Sequence, residues 1–326
     1  MEMETMMRKA LFALLVLAVL VGCSGQNAPA PTSTPVSTPT ATLTPTAAPS
    51  SITLTDGLKR TVTLRAPAQR VVSLAPSNTE ILFAVGAGAQ VVGRDEASDY
   101  PAEASNLPTV GGWSGFSREA IVALEPDLVL AAEITPPELV AELEGLGLTV
   151  YLLPNPHTLE EMYANLETVA RLTGHEAEAQ TLVARLQERV AAVDAQVAGI
   201  ETRPRVYYEL DATEPAKPWT AGPGSFVDLL IARAGGINVA GDLTGEWVQI
   251  GLEELLVRDP DIILLGDALY GETPEKVAAR PGWDALRAVR NGQVFPFDDT
   301  LISRPGPRLV DALEALFQIL HSQATP

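Results

Sequence analysis

Residues 174–199 read GHEAEAQTLVARLQERVAAVDAQVAG, and this stretch decides the fold. Its apolar residues recur at steps of one, three and four, which places them on one stripe of a helix. They are Leu182, Val183, Leu186, Val190, Val193 and Val197. Most of the other residues are good helix formers, and a glycine stands at each end. At 1.5 Å per residue the helix would be about 38 Å long, the span of a small domain.

A region of similar size lies on each side of this helix, and in both regions short apolar runs alternate with helical patterns. Strands that alternate with helices indicate a mostly parallel sheet with helices on its faces. We therefore predict an α/β protein with two such lobes, residues 52–173 and 204–326, joined by one long rigid helix over residues 174–203. The alternative is a single domain in which this helix is one packed element among others.

Two segments, one on each side of the helix, resemble each other. Residues 117–130 read SREAIVALEPDLVL and residues 251–264 read GLEELLVRDPDIIL. The apolar positions and the Pro-Asp pair match, and Glu119 aligns with Glu253. A helix, a Pro-Asp turn and a strand form a common combination, so a shorter match could be coincidence. A match of this length on both sides of the helix predicts two related lobes.

The N-terminus has the layout of a secreted lipoprotein. Arg8 and Lys9 precede an apolar run over residues 10–21, which is too short for a comfortable membrane span and is typical of a signal peptide. The run ends in small residues before Cys23, as in a bacterial lipobox. We predict a signal peptide over residues 1–22 and an acylated Cys23.

Residues 23–51 are dominated by Pro, Thr, Ser and Ala, a composition that cannot bury enough apolar surface to fold. They are predicted to form an extended tether. Cys23 is the only cysteine of the chain, so no internal disulfide can form.

The charge and the histidines argue against several classes of function. The formal net charge is −19, so phosphate backbones repel the chain and nucleic acid is not an expected partner. The three histidines, His157, His175 and His321, are scattered, and the sequence has no Gly-x-Ser-x-Gly elbow, so neither a hydrolase nor a direct zinc or manganese receptor is favoured. A binding subunit that signals to a membrane receptor remains open.

Candidate ligand-binding residues fall in loops. Pro76 and Ser77 follow a buried strand at a helix start, and ligands collect at such strand ends in open α/β sheets. Ser77 and Glu80 also have the spacing of an ordinary capping box, which is the structural alternative. Tyr100 and Trp113 lie in neighbouring loops rich in Gly, Pro or Ser, off any helical stripe, which favours a ligand surface over a packed core.

Several segments together resemble a known family. They are VVSLAPSNTE at residues 71–80, SDYP at 98–101, VGGWSG at 110–115 and RPGPR at 304–308, with the two matching segments described above. The chain from Ile52 onward resembles the substrate-binding lipoproteins of ABC importers whose lobes are joined by one rigid helix. Members of this family carry cobalamin, ferric siderophores or haem, and the likeness is greatest to the cobalamin-binding members.

The resemblance implies a receptor and not an enzyme. It would capture cobalamin or a related corrinoid between its lobes and deliver it to an ABC permease dimer with its ATPase; a ferric siderophore or haem is the alternative ligand. The ligand brings its own chelated metal, so no protein metal site and no cofactor are expected. The protein is expected to be a monomer, anchored through Cys23 at the outer face of a membrane or in the periplasm.

The resemblance also implies roles for single residues. In the cobalamin-binding relatives, aromatic rings from both lobes and a basic residue line the cleft, and the matching positions here are Tyr100, Trp113, Trp219, Trp247 and Arg304. Glu119 and Glu253 match glutamates that meet arginines on the two permease subunits. One aromatic position of the family is occupied here by Ala132, and the family's disulfide is absent.

Overall fold

The computed structural model describes residues 51–321. The predicted signal peptide, Cys23 and all but the last residue of the tether lie outside the described residues. In residues 51–321 no helix has the length and apolar character needed to cross a membrane.

The first half contains a hairpin and a parallel sheet whose strands alternate with helices. Its elements, in chain order, are β1 (Ile52–Thr55), β2 (Thr61–Leu64), β3 (Val71–Ser73), α1 (Pro76–Ala84), β4 (Val91–Gly93), β5 (Gly111–Gly112), β6 (Gly115–Phe116), α2 (Arg118–Ala123), β7 (Leu128–Ala132), α3 (Pro137–Gly145), β8 (Val150–Leu153) and α4 (Leu159–Thr173). The sheet has the order β4-β3-β7-β8, and every pair in it is parallel. β1 and β2 pair as an antiparallel hairpin.

A long helix, α5 (Glu176–Val197), leads into the second half. The elements that follow it are β9 (Arg205–Asp211), β10 (Trp219–Ala221), α6 (Phe226–Arg233), β11 (Ile237–Asn238), β12 (Trp247–Gln249), α7 (Leu252–Arg258), β13 (Ile262–Leu265), α8 (Pro274–Ala279), α9 (Arg287–Arg290), β14 (Val294–Pro296) and α10 (Leu309–His321). Short 3-10 helices cover residues 88–90, 102–106, 266–270, 283–285 and 299–301.

The second sheet has the order β12-β10-β9-β13-β14, and β11 also pairs with β9. Strands β11, β9, β13 and β14 are parallel, whereas β10 and β12 are antiparallel additions at one edge. β10 lies within residues 215–224, a segment rich in Pro and Gly. Together the two sheets confirm the predicted α/β class, with parallel strands flanked by helices in each half.

The apolar stripe of α5 lies at the centre of the largest hydrophobic cluster. Its residues Val183, Leu186, Val190 and Val193 are buried, and α5 packs against α4 on one side and α10 on the other. The same cluster contains buried residues of both halves, so their cores are continuous through α5. Two smaller clusters, one in each half, involve the other faces of the two sheets. All described residues belong to one compact unit.

The two matching sequence segments adopt the same local structure. Helices α2 and α7 are each followed by one residue in the left-handed region, Glu125 with φ 47° and Asp259 with φ 39°, and then by a proline. Few residues other than glycine adopt this conformation. Its recurrence at aligned positions supports the prediction of two related halves.

A pair of aspartates completes this corner in both halves. Asp127 accepts a hydrogen bond from the backbone N–H of Arg70, at 3.0 Å, and Asp261 accepts one from that of Arg205, at 2.8 Å. Each arginine also donates from its guanidinium to carbonyl oxygens at the end of the adjacent helix. The Pro-Asp motif therefore ties the helix end to a neighbouring strand in each half.

Candidate ligand-binding cleft

A cavity of about 610 Å³ lies between the two halves. Its first wall follows the carboxyl ends of β3, β7 and β8, and its second follows β13 and β14, with one residue from β12. The lining residues are Ala75, Pro76, Ser77, Asn78, Ala97, Ala132, Glu133, Ile134, Leu153, Pro154, Asn155, Pro156, Asn165, Trp247, Leu269, Tyr270, Asp299, Thr300, Ser303, Arg304 and Pro305. Ligands of open α/β sheets bind at such strand ends, and the volume is within the usual range for small-molecule sites, about 300–1,000 Å³.

The start of α1 forms the base of the first wall. The cap residue is Ala75, whose side chain makes no capping hydrogen bond, and the proline that follows begins the helix. Asn78 is buried, and its Nδ2 donates to the carbonyl oxygen of Leu130 at 3.1 Å, which ties the helix to β7. Ser77 does not cap this helix, so the capping-box interpretation of Ser77 and Glu80 is wrong.

Glu80 instead joins the two halves. Its carboxylate is 2 % exposed and accepts hydrogen bonds from Arg308 Nε, at 2.8 Å, and from Arg304 Nη1, at 3.2 Å. Arg304 Nη1 also donates to Asp99 at 2.6 Å, which lowers the pKa of that carboxyl. Both arginines belong to the second half, so this ionic cluster bridges the halves beside the cleft.

Four of the seven predicted ligand-binding residues line the cleft. They are Pro76, Ser77, Trp247 and Arg304. Trp219 lines an adjoining cavity, which shares Tyr270 with the cleft.

Tyr100 and Trp113 are not among the lining residues. The ring of Tyr100 lies 4.2 Å from the guanidinium carbon of Arg308 and borders a separate cavity against α5. Trp113 lies in the turn between β5 and β6, with its side chain fully exposed. The structure therefore does not bring these two rings together with Trp247 across the cleft, and a role for them in binding stays a prediction.

The sequence analysis did not identify three exposed apolar residues at the mouth of the cleft. Ile134 follows β7, and Leu269 and Tyr270 follow β13; the side chain of Tyr270 is 87 % exposed. β7 and β13 are the strands of the matching segments, so these residues occupy related places in the two halves. Extending the sequence comparison a few residues beyond residues 130 and 264 would have pointed to them.

The charged groups of the cleft are mostly acidic. Among its lining residues Arg304 is the only cation, and its two terminal nitrogens contact Glu80, Asp99 and the carbonyl oxygen of Ala97. Glu133 and Asp299 contribute carboxylates. The cleft thus offers hydrogen-bond acceptors and amide side chains, while its one guanidinium is already occupied by protein groups.

No histidine lines the cleft. His175 Nε2 lies 3.0 Å from Gln90 Oε1, and His321 Nε2 lies 2.8 Å from the carbonyl oxygen of Ala234, so both hold their own elements in place. Within residues 51–321 no group of three or more His, Cys, Asp or Glu side chains is arranged to hold a metal ion.

The two glutamates predicted to dock with a permease lie on the surface. Glu119 is in the first turn of α2 and Glu253 in the first turn of α7, and both are exposed. Glu119 accepts a hydrogen bond from Ser117 Oγ at 3.3 Å. In the part of the chain that the structure describes, the Glu253 side chain makes no hydrogen bond or ion pair.

Comparison with known proteins places the chain in a family. The model of the periplasmic binding protein family matches residues 71–301. A cobalamin-binding protein of Halobacterium salinarum is 30% identical over 324 residues, covering 97% of this chain and 86% of the relative. An uncharacterized ABC transporter substrate-binding lipoprotein of Bacillus subtilis, YvrC, is 29% identical over 273 residues, covering 83% and 85%.

Solved structures share the fold. The periplasmic vitamin B12 binding protein BtuF of Vibrio cholerae superposes with a TM-score of 0.67 at 29% identity, covering 80% of this chain and 99% of that structure. The periplasmic heme-binding protein BhuT, in complex with two hemes, superposes with a TM-score of 0.71 at 29% identity, covering 78% and 98%.

Proposed function

Since the chain belongs to the periplasmic binding protein family, we propose that it is the substrate-binding receptor of an ABC importer and that its ligand is cobalamin or a related corrinoid. The ligand binds in the cleft between the halves and is delivered to the permease. Relatives named as cobalamin-binding and vitamin B12 binding proteins support this ligand.

The choice of ligand rests mainly on the charge of the cleft. A corrinoid presents uncharged primary amides around its ring, and these groups donate hydrogen bonds to carboxylates and to amide oxygens. Haem presents two carboxylates, which need cations or donors. The only cation of the cleft, Arg304, is paired with Glu80 and Asp99, whereas Glu133 and Asp299 would repel a carboxylate. The site therefore favours an amide-bearing chelate over an anionic one.

Apolar surface supplies the other part of the binding energy. The mouth of the cleft is surrounded by the rings of Trp247 and Tyr270 and by the aliphatic side chains of Leu269 and Ile134. Aromatic side chains bury about 150–250 Å² each against a flat ligand. At about 25 cal/mol per Å² two such rings give a gross gain of several kcal/mol, part of which offsets the cost of association.

Attachment to a membrane through acylated Cys23 and action as a monomer complete the proposal. The relative from Bacillus subtilis is named a lipoprotein, and the order of signal sequence, cysteine and tether supports the same arrangement here. Mass spectrometry of the membrane-extracted protein would show a diacylglyceryl or triacyl group on Cys23, and a Cys23→Ala variant would be released from the membrane.

The ligand is tested by titration of the soluble chain, residues 24–326, with cyanocobalamin while tryptophan fluorescence is followed. We expect quenching, and Trp247→Ala should weaken binding at least tenfold because it removes a ring from the cleft wall. Val257→Ala, which shortens an exposed apolar side chain of the same half, is the control and should bind as the wild type does. Absence of binding by the wild type would exclude the corrinoid.

Haem is the second candidate because of one residue. Tyrosine is an axial ligand in some haem proteins, and the exposed phenol of Tyr270 lies at the cleft. If haem is the ligand, hemin should give a tyrosinate-type absorption spectrum that Tyr270→Phe abolishes, and cyanocobalamin should not compete. The corrinoid proposal expects no tyrosinate-type spectrum from hemin, and quenching by cyanocobalamin that hemin does not prevent.

A further inference from the structure

The second half contains a side pocket next to the cleft. This cavity, of about 620 Å³, is lined by Asp211, Thr213, Trp219, Asp267, Tyr270 and Glu272, together with the backbone around Ala212. Tyr270 also lines the cleft, so the two cavities share a wall. No cation is among the lining residues of the side pocket, whereas three of them are carboxylates.

One oxygen of these carboxylates lacks a hydrogen-bond partner. Asp267 is 5 % exposed; its Oδ2 accepts a hydrogen bond from the backbone N–H of Ala212 at 3.2 Å, whereas its Oδ1 is buried without any hydrogen-bond partner. Buried polar atoms in folded proteins are nearly always hydrogen-bonded, so an unpaired carboxylate oxygen calls for an explanation. Burial also raises the pKa of this carboxyl, and the hydrogen bond from Ala212 opposes this effect only in part.

The cation whose charge acts on Asp267 is already used by other carboxylates. Arg280 donates to Glu209 at 2.7 and 2.8 Å and to Glu272 at 2.9 Å. The charge of one buried guanidinium therefore serves Glu209, Glu272 and Asp267, and only Asp267 receives no hydrogen bond from it. The pocket has an excess of negative charge and of acceptors.

From this geometry we infer that the side pocket receives a nitrogen-bearing, hydrogen-bond-donating arm of the ligand, a primary amide or an ammonium group, and that Asp267 accepts from it. The inference rests on the proposed corrinoid ligand, whose ring carries several amide-tipped arms. The aromatic faces of Trp219 and Tyr270 favour such a group, because N–H donors and cations are attracted to π faces. A carboxylate-tipped arm would meet only like charges.

The test uses cyanocobalamin and its monocarboxylic acids, in each of which one peripheral amide has been hydrolysed. One acid isomer should bind the wild-type chain at least tenfold more weakly than cyanocobalamin, because its carboxylate would face Asp267. Converting that carboxylate to an aminoethyl amide, which restores an N–H and adds an ammonium group, should recover the affinity. Binding that improves beyond that of cyanocobalamin assigns the pocket to a cation; equal binding assigns it to an amide.

The role of Asp267 is tested with Asp267→Asn, which keeps an oxygen for the Ala212 N–H and removes the charge. This variant should reduce the penalty of the acid isomer to about threefold or less, whereas Asp284→Asn, an exposed residue of the same half outside the pocket, should keep the full penalty. Tyr270→Ala, at a site where the side chain is 87 % exposed, should weaken binding of cyanocobalamin itself.

Equal affinity of the wild type for cyanocobalamin and all the acids, or an unchanged penalty in Asp267→Asn, would overturn the side-pocket inference and leave the proposed function intact. A wild-type chain that binds no corrinoid would contradict the proposed ligand and, with it, this subsite.

Discussion

Two buried glutamates are each bound by arginines that lie far away in the sequence. Glu80 is bound by arginines of the other half, and Glu209 by Arg280 through two hydrogen bonds. Burial nevertheless raises the pKa of Glu209 to about 7, because loss of hydration opposes the charged form more than Arg280 favours it.

The raised pKa of Glu209 predicts a dependence of stability on pH. An unfolded glutamate titrates near 4.5, so between that pH and about 7 the folded chain binds more protons than the unfolded chain. The contribution of this group to the free energy of unfolding therefore falls as the pH rises through this interval. Urea denaturation at about pH 5 and about pH 7.5 should show that Glu209→Gln gains stability relative to the wild type at the higher pH.

The exposed Glu254, which pairs with Arg258, provides the control for this measurement. Glu254→Gln should follow the wild-type dependence on pH. An equal dependence for Glu209→Gln and the wild type would show that Glu209 stays ionised over the whole interval.

At the scale of residues, the sequence located much of the site but not the partners of its side chains. Four residues that were predicted to bind the ligand do line the cleft: Pro76, Ser77, Trp247 and Arg304. Ser77 and Glu80 have capping-box spacing, but the partner of Glu80 is Arg308, 228 positions away, and no local pattern reports such a contact. A tryptophan in a Gly-rich segment, such as Trp113, can lie at a hairpin tip as readily as at a ligand surface.

At the scale of elements, α5 was predictable because its apolar period extends over about four turns, from Leu182 to Val197. The ends of α5 were less predictable. Gly174, with φ 81°, is the C-terminal cap of α4, so α5 begins only at Glu176, and it ends at Val197. β10 and β12 have three residues each, too few to show an alternating pattern, and they form through pairing with β9 and with each other.

The buried stripe of α5 predicts that the two halves unfold together. Leu186→Ala should lower the free energy of unfolding by about 2–5 kcal/mol, because it leaves a cavity in a core that both halves share. Gln187→Ala, on the exposed side of the same turn, should change it by no more than about 0.5 kcal/mol. Calorimetry should show one transition for the wild type and for both variants; separate transitions for the halves would contradict a continuous core.

At the scale of the whole molecule, the contacts between the halves limit their relative motion. They are joined by α5, which is packed on both sides, and by the ionic cluster of Glu80, Asp99, Arg304 and Arg308. Wide closure needs hinge residues that absorb large dihedral changes, and a continuous helix offers none along its length. We expect X-ray scattering profiles with and without cyanocobalamin to be nearly superimposable; a marked compaction on ligand addition would show a hinge.

The relation between the halves also predicts how the receptor meets its permease. Glu119 and Glu253 occupy aligned positions in the first turns of α2 and α7, and both are exposed. An acid in a first helical turn is also stabilised by the helix dipole, which explains either glutamate alone better than it explains both at one aligned position. The pair therefore suits a partner built from two subunits with a cation on each.

Reversing both charges tests this docking. A single exposed ion pair contributes only about 0–1 kcal/mol, so single variants should transport nearly normally. The double variant Glu119→Arg, Glu253→Arg adds repulsion at two points and should reduce receptor-stimulated ATP hydrolysis by the permease at least tenfold, most strongly at low salt. Ligand binding to the isolated receptor should be unchanged, since neither residue lines the cleft. The matched control is Glu138→Arg, Glu275→Arg, which makes the same charge change in the first turns of α3 and α8. Equal stimulation by the two double variants would mean that the receptor docks through another surface.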